Sequence, residues 1–412
     1  MQTTGVIAVL AIICGVAAPF ASLSAADPAQ PTAPLLKFDK PVTIVCLGDS
    51  VTGVYYHTGG VGAYPEMLGV AIQKLYPEAK ITVVNAGISG QATDAGLARL
   101  DKDVLSKKPD LVTVSFGLND MTRIPLETYK KNLIEITKRC QAANAKVVLC
   151  TPQAIIDTPG RERTKLVAYV EALKEAAKEA GAAVCNQLEA GEAFRNKDAW
   201  NWRLTLSDQF HPNMDGHKFM AQELCKVVTG KEVSLADVGP LSPAFAKTVA
   251  KLKEGKPVRV LAMPPYDTLI APALKKFDPK AQVEVTTWQS AGKTLDELQK
   301  EANATVRKMR PDLVVLAIPR ETTPTADEAF VNAYIWIMNW SLAFGYLEWD
   351  CFVVHPSVTD PEKTDPRDNL TRKLIGAQHL HFVDRKKDDK APAAEIFNRW
   401  VEAAAAEAAK AK

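Results

Sequence analysis

The chain has 412 residues, 47% of them hydrophobic and 24% charged, with a formal net charge of +2. That is length enough for two ordinary domains with full cores, and so weak a net charge supplies no positive field for holding phosphates, which excludes nucleic acid as an expected partner. Basic runs such as Arg385-Lys386-Lys387 are followed at once by Asp388-Asp389 and read as solvated loop.

Residues 1–26 carry no charged side chain, and the apolar stretch from Val6 to Phe20 ends in Ala-Ser-Leu-Ser-Ala-Ala. This predicts a secretory signal peptide cut near Ala25 or Ala26, hence an exported protein, periplasmic or extracellular, with no stable membrane insertion after its removal. The lack of Lys or Arg ahead of the stretch leaves an N-terminal membrane anchor as the alternative, which Gly15, Pro19 and the short apolar length weaken. Residues 27–36, rich in Pro and Ala, read as a flexible leader.

Between 37 and 232, short apolar strands alternate with amphipathic helices, the pattern of a parallel sheet covered on both faces. Strands are predicted at Val42–Leu47, Ile81–Val84, Leu111–Ser115 and Lys146–Cys150. Helices are predicted near Tyr64–Leu75, Ala92–Leu105, Leu126–Gln141 and Arg163–Ala180, the last stopped by Gly181. The expected fold is α/β, a three-layer flavodoxin-like parallel sheet. Such sheets bind ligands beyond the carboxyl ends of their strands, and three loops there carry reactive chemistry: Gly48-Asp49-Ser50, Asn85-Ala86-Gly87 and Gly117-Leu118-Asn119-Asp120. Far downstream, Asp208-Gln209-Phe210-His211-Pro212 offers an imidazole with a carboxylate close by, and Asn213 can cap the helix carrying Phe219, Met220, Leu224 and Val227. A Ser hydroxyl attacks poorly until an imidazole takes its proton and a third group fixes the imidazole's tautomer. The N–H groups of Ser50 and Gly87 and the amide of Asn119 could converge on the oxyanion that acyl transfer creates. Taken singly, Ser50 and Asp208 could be caps and Asn119-Asp120 turn formers; their joint occurrence favours catalysis.

These four blocks, in this order, resemble the SGNH hydrolases, also called the GDSL esterase/lipase family, with Val51 standing where the family name has Leu. The resemblance covers roughly residues 40–230. It implies a Ser50 nucleophile, His211 as base, Asp208 orienting it, an oxyanion hole of Ser50, Gly87 and Asn119, and neither cofactor nor metal. It implies a serine esterase working through an acyl-enzyme on a small ester or an acetylated carbohydrate. Deacetylation of a carbohydrate is preferred because Tyr55, Tyr56, His57 and Tyr64, with Trp200 and Trp202, suit a sugar platform better than a long acyl tunnel. His57, Tyr64 and Trp202 are the candidate substrate contacts. A lipase or lysophospholipase of the same family and a non-catalytic binding protein are the alternatives. His217 reads as a surface or packing residue, and His379 with His381 is a weak metal pair without further ligands.

After a linker at 233–255, residues 256–390 read as a second, degenerate copy of the same scaffold, followed by a C-terminal helix over 391–412 anchored by Ile396, Phe397 and Trp400. Lys108-Pro109-Asp110-Leu111-Val112-Thr113-Val114 matches Arg310-Pro311-Asp312-Leu313-Val314-Val315-Leu316, and Leu75-Tyr76-Pro77 matches Phe277-Asp278-Pro279 in the same register. Aligning Val42-Thr43-Ile44-Val45 with Val258-Arg259-Val260-Leu261 puts Tyr266 at the place of Ser50, while Gly87 faces Gln289 and Asn119 faces Glu321. The copy is therefore expected to lack chemistry. Its helix Glu328–Tyr346 is apolar nearly all round, so it is expected to be buried against the first domain or against a second subunit, where it would form an oligomer. A carbohydrate-binding face using Trp336 or Trp340 is the lower-ranked alternative, and Asn332, Asn339 and Ser341 argue against a membrane span. Apart from Cys14 in the predicted signal, Cys46, Cys140, Cys150, Cys185, Cys225 and Cys351 remain; those on apolar strand-like runs are expected to be buried thiols.

Overall fold

A computed structural model describes residues 34–320, 326–345 and 348–411, so the predicted signal peptide, most of the leader, and Glu321 lie outside the described residues. Two five-stranded parallel sheets follow one another along the chain. In the first, β1 (Val42–Gly48), β2 (Ile81–Gly87), β3 (Leu111–Ser115), β4 (Lys146–Cys150) and β5 (Ala183–Cys185) are ordered β2-β1-β3-β4-β5. This is the flavodoxin-like order, whose switch point lies between β1 and β3. Helices cover both faces, so the central strands are apolar almost throughout: Ile44, Val45, Leu47, Leu111 and Val112 are fully buried. Each such side chain contributes about 1.5–3 kcal/mol through burial.

Register decides where the site forms. Gly48 pairs with Gly87 on one side and with Ser115 on the other, so three strands end level and their loops leave from one edge. Both glycines are needed for the close approach of the next loop. A Cβ on Gly87 would lie 2.2 Å from the backbone nitrogen of Gly53, and one on Gly48 would lie 1.9 Å from Thr52 Oγ1.

Helices Tyr64–Leu75 and Arg163–Ala180 stand as predicted, and Gly181 ends the latter in the left-handed conformation. The predicted helix Ala92–Leu105 is instead divided into Thr93–Ala98 and Leu100–Asp103. It breaks at Arg99, whose guanidinium reaches out to Gly48 O (3.0 Å), Gln91 Oε1 (2.6 Å) and Asp103 (3.2 Å).

The second sheet, β6 (Val258–Ala262), β7 (Val283–Thr287), β8 (Leu313–Leu316), β9 (Asp350–Val354) and β10 (His381–Val383), is ordered β10-β9-β8-β6-β7, the first order read from its other edge. One predicted equivalence is corrected. Tyr266 opens the helix Tyr266–Phe277 just as Tyr64 opens Tyr64–Leu75, so Tyr266 corresponds to Tyr64 and not to Ser50. The segment Met263-Pro264-Pro265 stands in place of residues 49–63, and the pocket loop is missing entirely. Within the predicted linker, a helix at Ala246–Lys253 buries Phe245, Val249 and Leu252 in the second core. The C-terminal helix Ala393–Lys410 packs there through Ile396 and Phe397, with Trp400 against Phe245 and Phe352.

The two sheets are joined through side chains flanking the Asp208–His211 loop. Leu204 is buried in the second unit's core. Arg203 donates to Glu328 Oε1 (2.7 Å) and Asn332 Oδ1 (2.6 Å) on the apolar helix, which runs from Asp327 to Ser341. That helix is shorter than predicted, because Leu342 turns extended and Trp349 Nε1 takes the Ser341 carbonyl (2.9 Å). Asn339, fully buried, donates to Ser207 O (2.9 Å) and accepts from Ser207 Oγ (3.0 Å) and Gln378 Nε2 (2.8 Å). Asn339→Ala leaves the Ser207 carbonyl without this donor and Ser207 Oγ and Gln378 Nε2 with only their long mutual contact (3.4 Å), and urea titration is expected to show a loss of about 1–3 kcal/mol. Among the described residues no helix is long and apolar enough to cross a membrane, and the six cysteines are buried and unpaired.

Candidate active site

Beyond β1 the chain turns sharply: Thr52 N and Gly53 N both donate to Asp49 O (3.2 and 3.0 Å), and Val51 N donates to Asp49 Oδ1 (2.9 Å). Burial pushes the Asp49 carboxyl up to about 6. The turn directs Ser50 Oγ to 2.8 Å from His211 Nε2. On the far side of the ring, His211 Nδ1 lies 2.7 Å from Asp208 Oδ2, while Asp208 Oδ1 accepts from Phe210 N (2.8 Å) and His211 N (2.7 Å). Burial alone would raise the Asp208 pKa, but the His211 charge and these hydrogen bonds hold it below the ordinary carboxylate value. An ionised Asp208 can only accept, so Nδ1 carries the ring proton and Nε2 presents its lone pair to the Ser50 hydroxyl. Asn213 caps the following helix through Gly216 N (3.1 Å), and Ser207 N donates to His211 O (2.8 Å), which fixes the loop from both ends.

The three expected oxyanion donors gather at the same edge, and two of them are already engaged within the protein. Gly87 N donates to Asn85 Oδ1 (3.0 Å). Asn119 Nδ2 donates to Gln91 O (2.9 Å) and, at greater length, to Asp49 Oδ2 (3.4 Å). Arg161 gives no local signal in the sequence, yet it orients this amide. Its Nη2 donates to Asn119 Oδ1 (3.2 Å), its Nε to Leu118 O (3.0 Å), and its guanidinium lies over the Phe210 ring at 4.6 Å. Asn85 is a second residue that local pattern did not single out: its Nδ2 donates to Thr52 O (2.8 Å) and to Glu66, tying the pocket loop to the sheet.

The candidate substrate contacts sit elsewhere than expected. His57 is 1% exposed and lies flat against His211, with ring centroids 4.5 Å apart at 11°, so it faces the imidazole and not an open pocket. His217 stacks on its far side at 6.0 Å and accepts from Tyr64 N (3.1 Å). Burial and the nearby His211 charge lower both pKa values, so His57 and His217 stay neutral. Tyr64 and Trp202 are core residues, at 1% and 5% exposure: the Tyr64 hydroxyl meets Thr52 Oγ1 (3.3 Å), and Trp202 lies under Arg195 (4.7 Å). Helix placement explains both, since each side chain points inward from the first turns of its helix. His381 Nε2 bonds to Ser242 O (2.7 Å), and among the described residues no cluster of His, Cys, Asp or Glu is arranged to hold a metal.

Residues 46–219 match the model of the GDSL-like Lipase/Acylhydrolase family. Among characterised proteins, an acetylxylan esterase of Geobacillus stearothermophilus is 26% identical over 218 residues, which cover 47% of this chain and 96% of that protein. Thioesterase 1/protease 1/lysophospholipase L1 of Escherichia coli (strain K12) is 36% identical over 109 residues, 26% of this chain and 49% of that protein. A solved structure of an acetylxylan esterase from Geobacillus stearothermophilus aligns with 48% of this chain and 100% of its own at 24% identity and a TM-score of 0.41. The strand order and the level ends of β1, β2 and β3 fall within the residues that match the family model: residues 46–219 resemble a GDSL-like lipase/acylhydrolase domain, and the relatives named here are esterases and a thioesterase.

Proposed function

We propose that the chain is an exported serine esterase that removes short acyl groups, acetyl above all, from a carbohydrate. The single observation that carries the chemistry is the relay Ser50–His211–Asp208, with contacts of 2.8 and 2.7 Å. Ser50 Oγ attacks the ester carbonyl while its proton passes to His211 Nε2, and Asp208 stabilises the imidazolium that results. The oxyanion is received by the Ser50 N–H and the Asn119 amide, whose long contact to Asp49 is the one to yield, with the Gly87 N–H shared between Asn85 and the oxyanion. His211 then gives its proton to the departing alcohol, leaving the acyl group on Ser50, and water activated by the same imidazole releases the acid.

Support for a carbohydrate ester comes from the acetylxylan esterase relative, which matches over 96% of its own length, and from the aromatic surroundings of His211. Export rests on the uncharged, apolar run within residues 1–26. A chain-length series of p-nitrophenyl esters, run beside an acetylated xylo-oligosaccharide, tests the substrate class. Acetate is expected to be the best p-nitrophenyl ester and the oligosaccharide to be deacetylated. Steady preference for long acyl chains would instead assign the lipase or lysophospholipase alternative.

A further inference from the structure

The apolar helix Asp327–Ser341 does more than bury itself. On the side facing the first sheet it presents Trp336 and Trp340, both partly exposed, beside Tyr56 of the pocket loop. Tyr56 is near-parallel to Trp340 (12°, centroids 6.5 Å) and to Trp336 (30°, 6.2 Å), and the two indoles are 5.4 Å apart at 29°. The same Tyr56 ring stands edge-on to His211 at 6.5 Å, so the aromatic group begins one ring's width from the imidazole. Behind the helix end, Gly345 fits against Val54 O, where an added Cβ would lie 3.2 Å away, which seats this part of the second unit directly on the pocket loop.

One side chain decides what such a wall is for. Arg307, from the helix Leu295–Met309, places its guanidinium 5.3 Å from the Tyr56 ring and 5.1 Å from Trp340 and Phe344. Its Nη2 donates to Asn339 O (3.2 Å), while its buried Nε has no hydrogen-bond partner among the described residues. Arg307 and Phe344 also line an open cleft of about 410 Å³ together with Tyr55 and Glu348. A half-buried cation is costly to cover with an alkyl chain, which would remove water from the exposed part of the guanidinium and return no acceptor. A sugar ring meets both demands, because its C–H face is apolar and its rim is lined with hydroxyl oxygens.

We propose that Tyr56, Trp336, Trp340 and Arg307 form the subsite that holds the sugar ring of the acylated substrate. The second unit, lacking a nucleophile at the place of Ser50, thereby supplies the alcohol side of the first unit's active site. The proposal rests on the carbohydrate-ester reading above and deepens it.

The test compares Trp336→Ala, Trp340→Ala, Trp340→Phe and Arg307→Met with the wild-type full chain on acetylated xylo-oligosaccharide and on p-nitrophenyl acetate, which has no sugar, with a long-chain p-nitrophenyl ester run beside them. In the alanine variants kcat/KM on the oligosaccharide is expected to fall about ten-fold, chiefly through KM, with p-nitrophenyl acetate changed by less than about two-fold. Arg307→Met is expected to follow them, and Trp340→Phe to keep most of the activity. Equal loss on both substrates would mean that the rings serve only folding, and no loss on the oligosaccharide would mean that no sugar touches them. Selective loss on long p-nitrophenyl esters would make the wall an acyl site. Each of these three results overturns the subsite. Wild-type chain that cleaves p-nitrophenyl acetate but not the oligosaccharide would overturn the substrate class itself, and that outcome is visible before any substitution is made.

Discussion

Ser50→Ala is expected to lower kcat on p-nitrophenyl acetate by about 10⁵ to 10⁶, the loss associated with removing a nucleophile whose partners act as one unit. The variant should fold normally, since Ser50 is only partly buried and the turn around it is held by Asp49 and backbone groups. A fluorophosphonate probe followed by intact-mass measurement gives the sharper readout. Wild-type protein should gain one adduct and Ser50→Ala none. Unchanged turnover in the variant, or an adduct on it, would sink the serine mechanism, and failure of the wild type to react at all would point to a binding protein.

The second large effect is expected at Asp208. Asp208 Oδ1 already accepts two backbone N–H groups, from Phe210 and His211. In Asp208→Asn the amide oxygen must keep that place, because an NH₂ group cannot accept, and so the NH₂ is turned toward His211 Nδ1. Two donors cannot face each other. The ring proton moves to Nε2, where it confronts the Ser50 hydroxyl, and the lone pair needed for attack is lost. A fall in kcat of about 10⁴ is expected, together with a loss of thermal stability at neutral pH, where the Asp208 charge contributes fully. Acid behaviour supplies a further check on the sign. The folded-state pKa of Asp208 lies below the ordinary value, so its contribution to stability is complete above the unfolded value of about 3.9 and is lost as pH falls through the lower folded value. Acid unfolding of the Asn variant, followed by circular dichroism, should lack that component.

Much of this was written in local pattern. Strand ends at Gly48, Gly87 and Ser115, the Asn213 cap and the Gly181 stop are set by neighbours in sequence, and the four blocks carrying Ser50, Gly87, Asn119 and His211 could be recognised before any contact was known. What escaped depends on partners far along the chain. Arg161 is just another loop arginine until the fold sets it beside Asn119 and Phe210. His57 and Tyr64 look like pocket residues from their spacing to Ser50, yet packing against His211 and His217 takes both out of reach of solvent. Alignment by strands alone also misplaced Tyr266, because loop length is not encoded in strand pattern; only the start of the following helix reveals that residues 49–63 have no counterpart. The helix Asp327–Ser341 was legible as buried, while the division of its face between packing and an open aromatic edge was not.

The column of three imidazoles has a consequence for proton traffic. Whenever His211 becomes positive, its flat neighbour His57 offers a π-face and not a nitrogen lone pair in line, and His217 beyond it is committed through Nδ1 to Tyr64 N. Asp208, held ionised by its hydrogen bonds, keeps the opposite nitrogen occupied. In the proposed mechanism the proton taken from serine therefore finds no acceptor among the rings stacked on His211, and the departing oxygen is the acceptor that the geometry brings to Nε2.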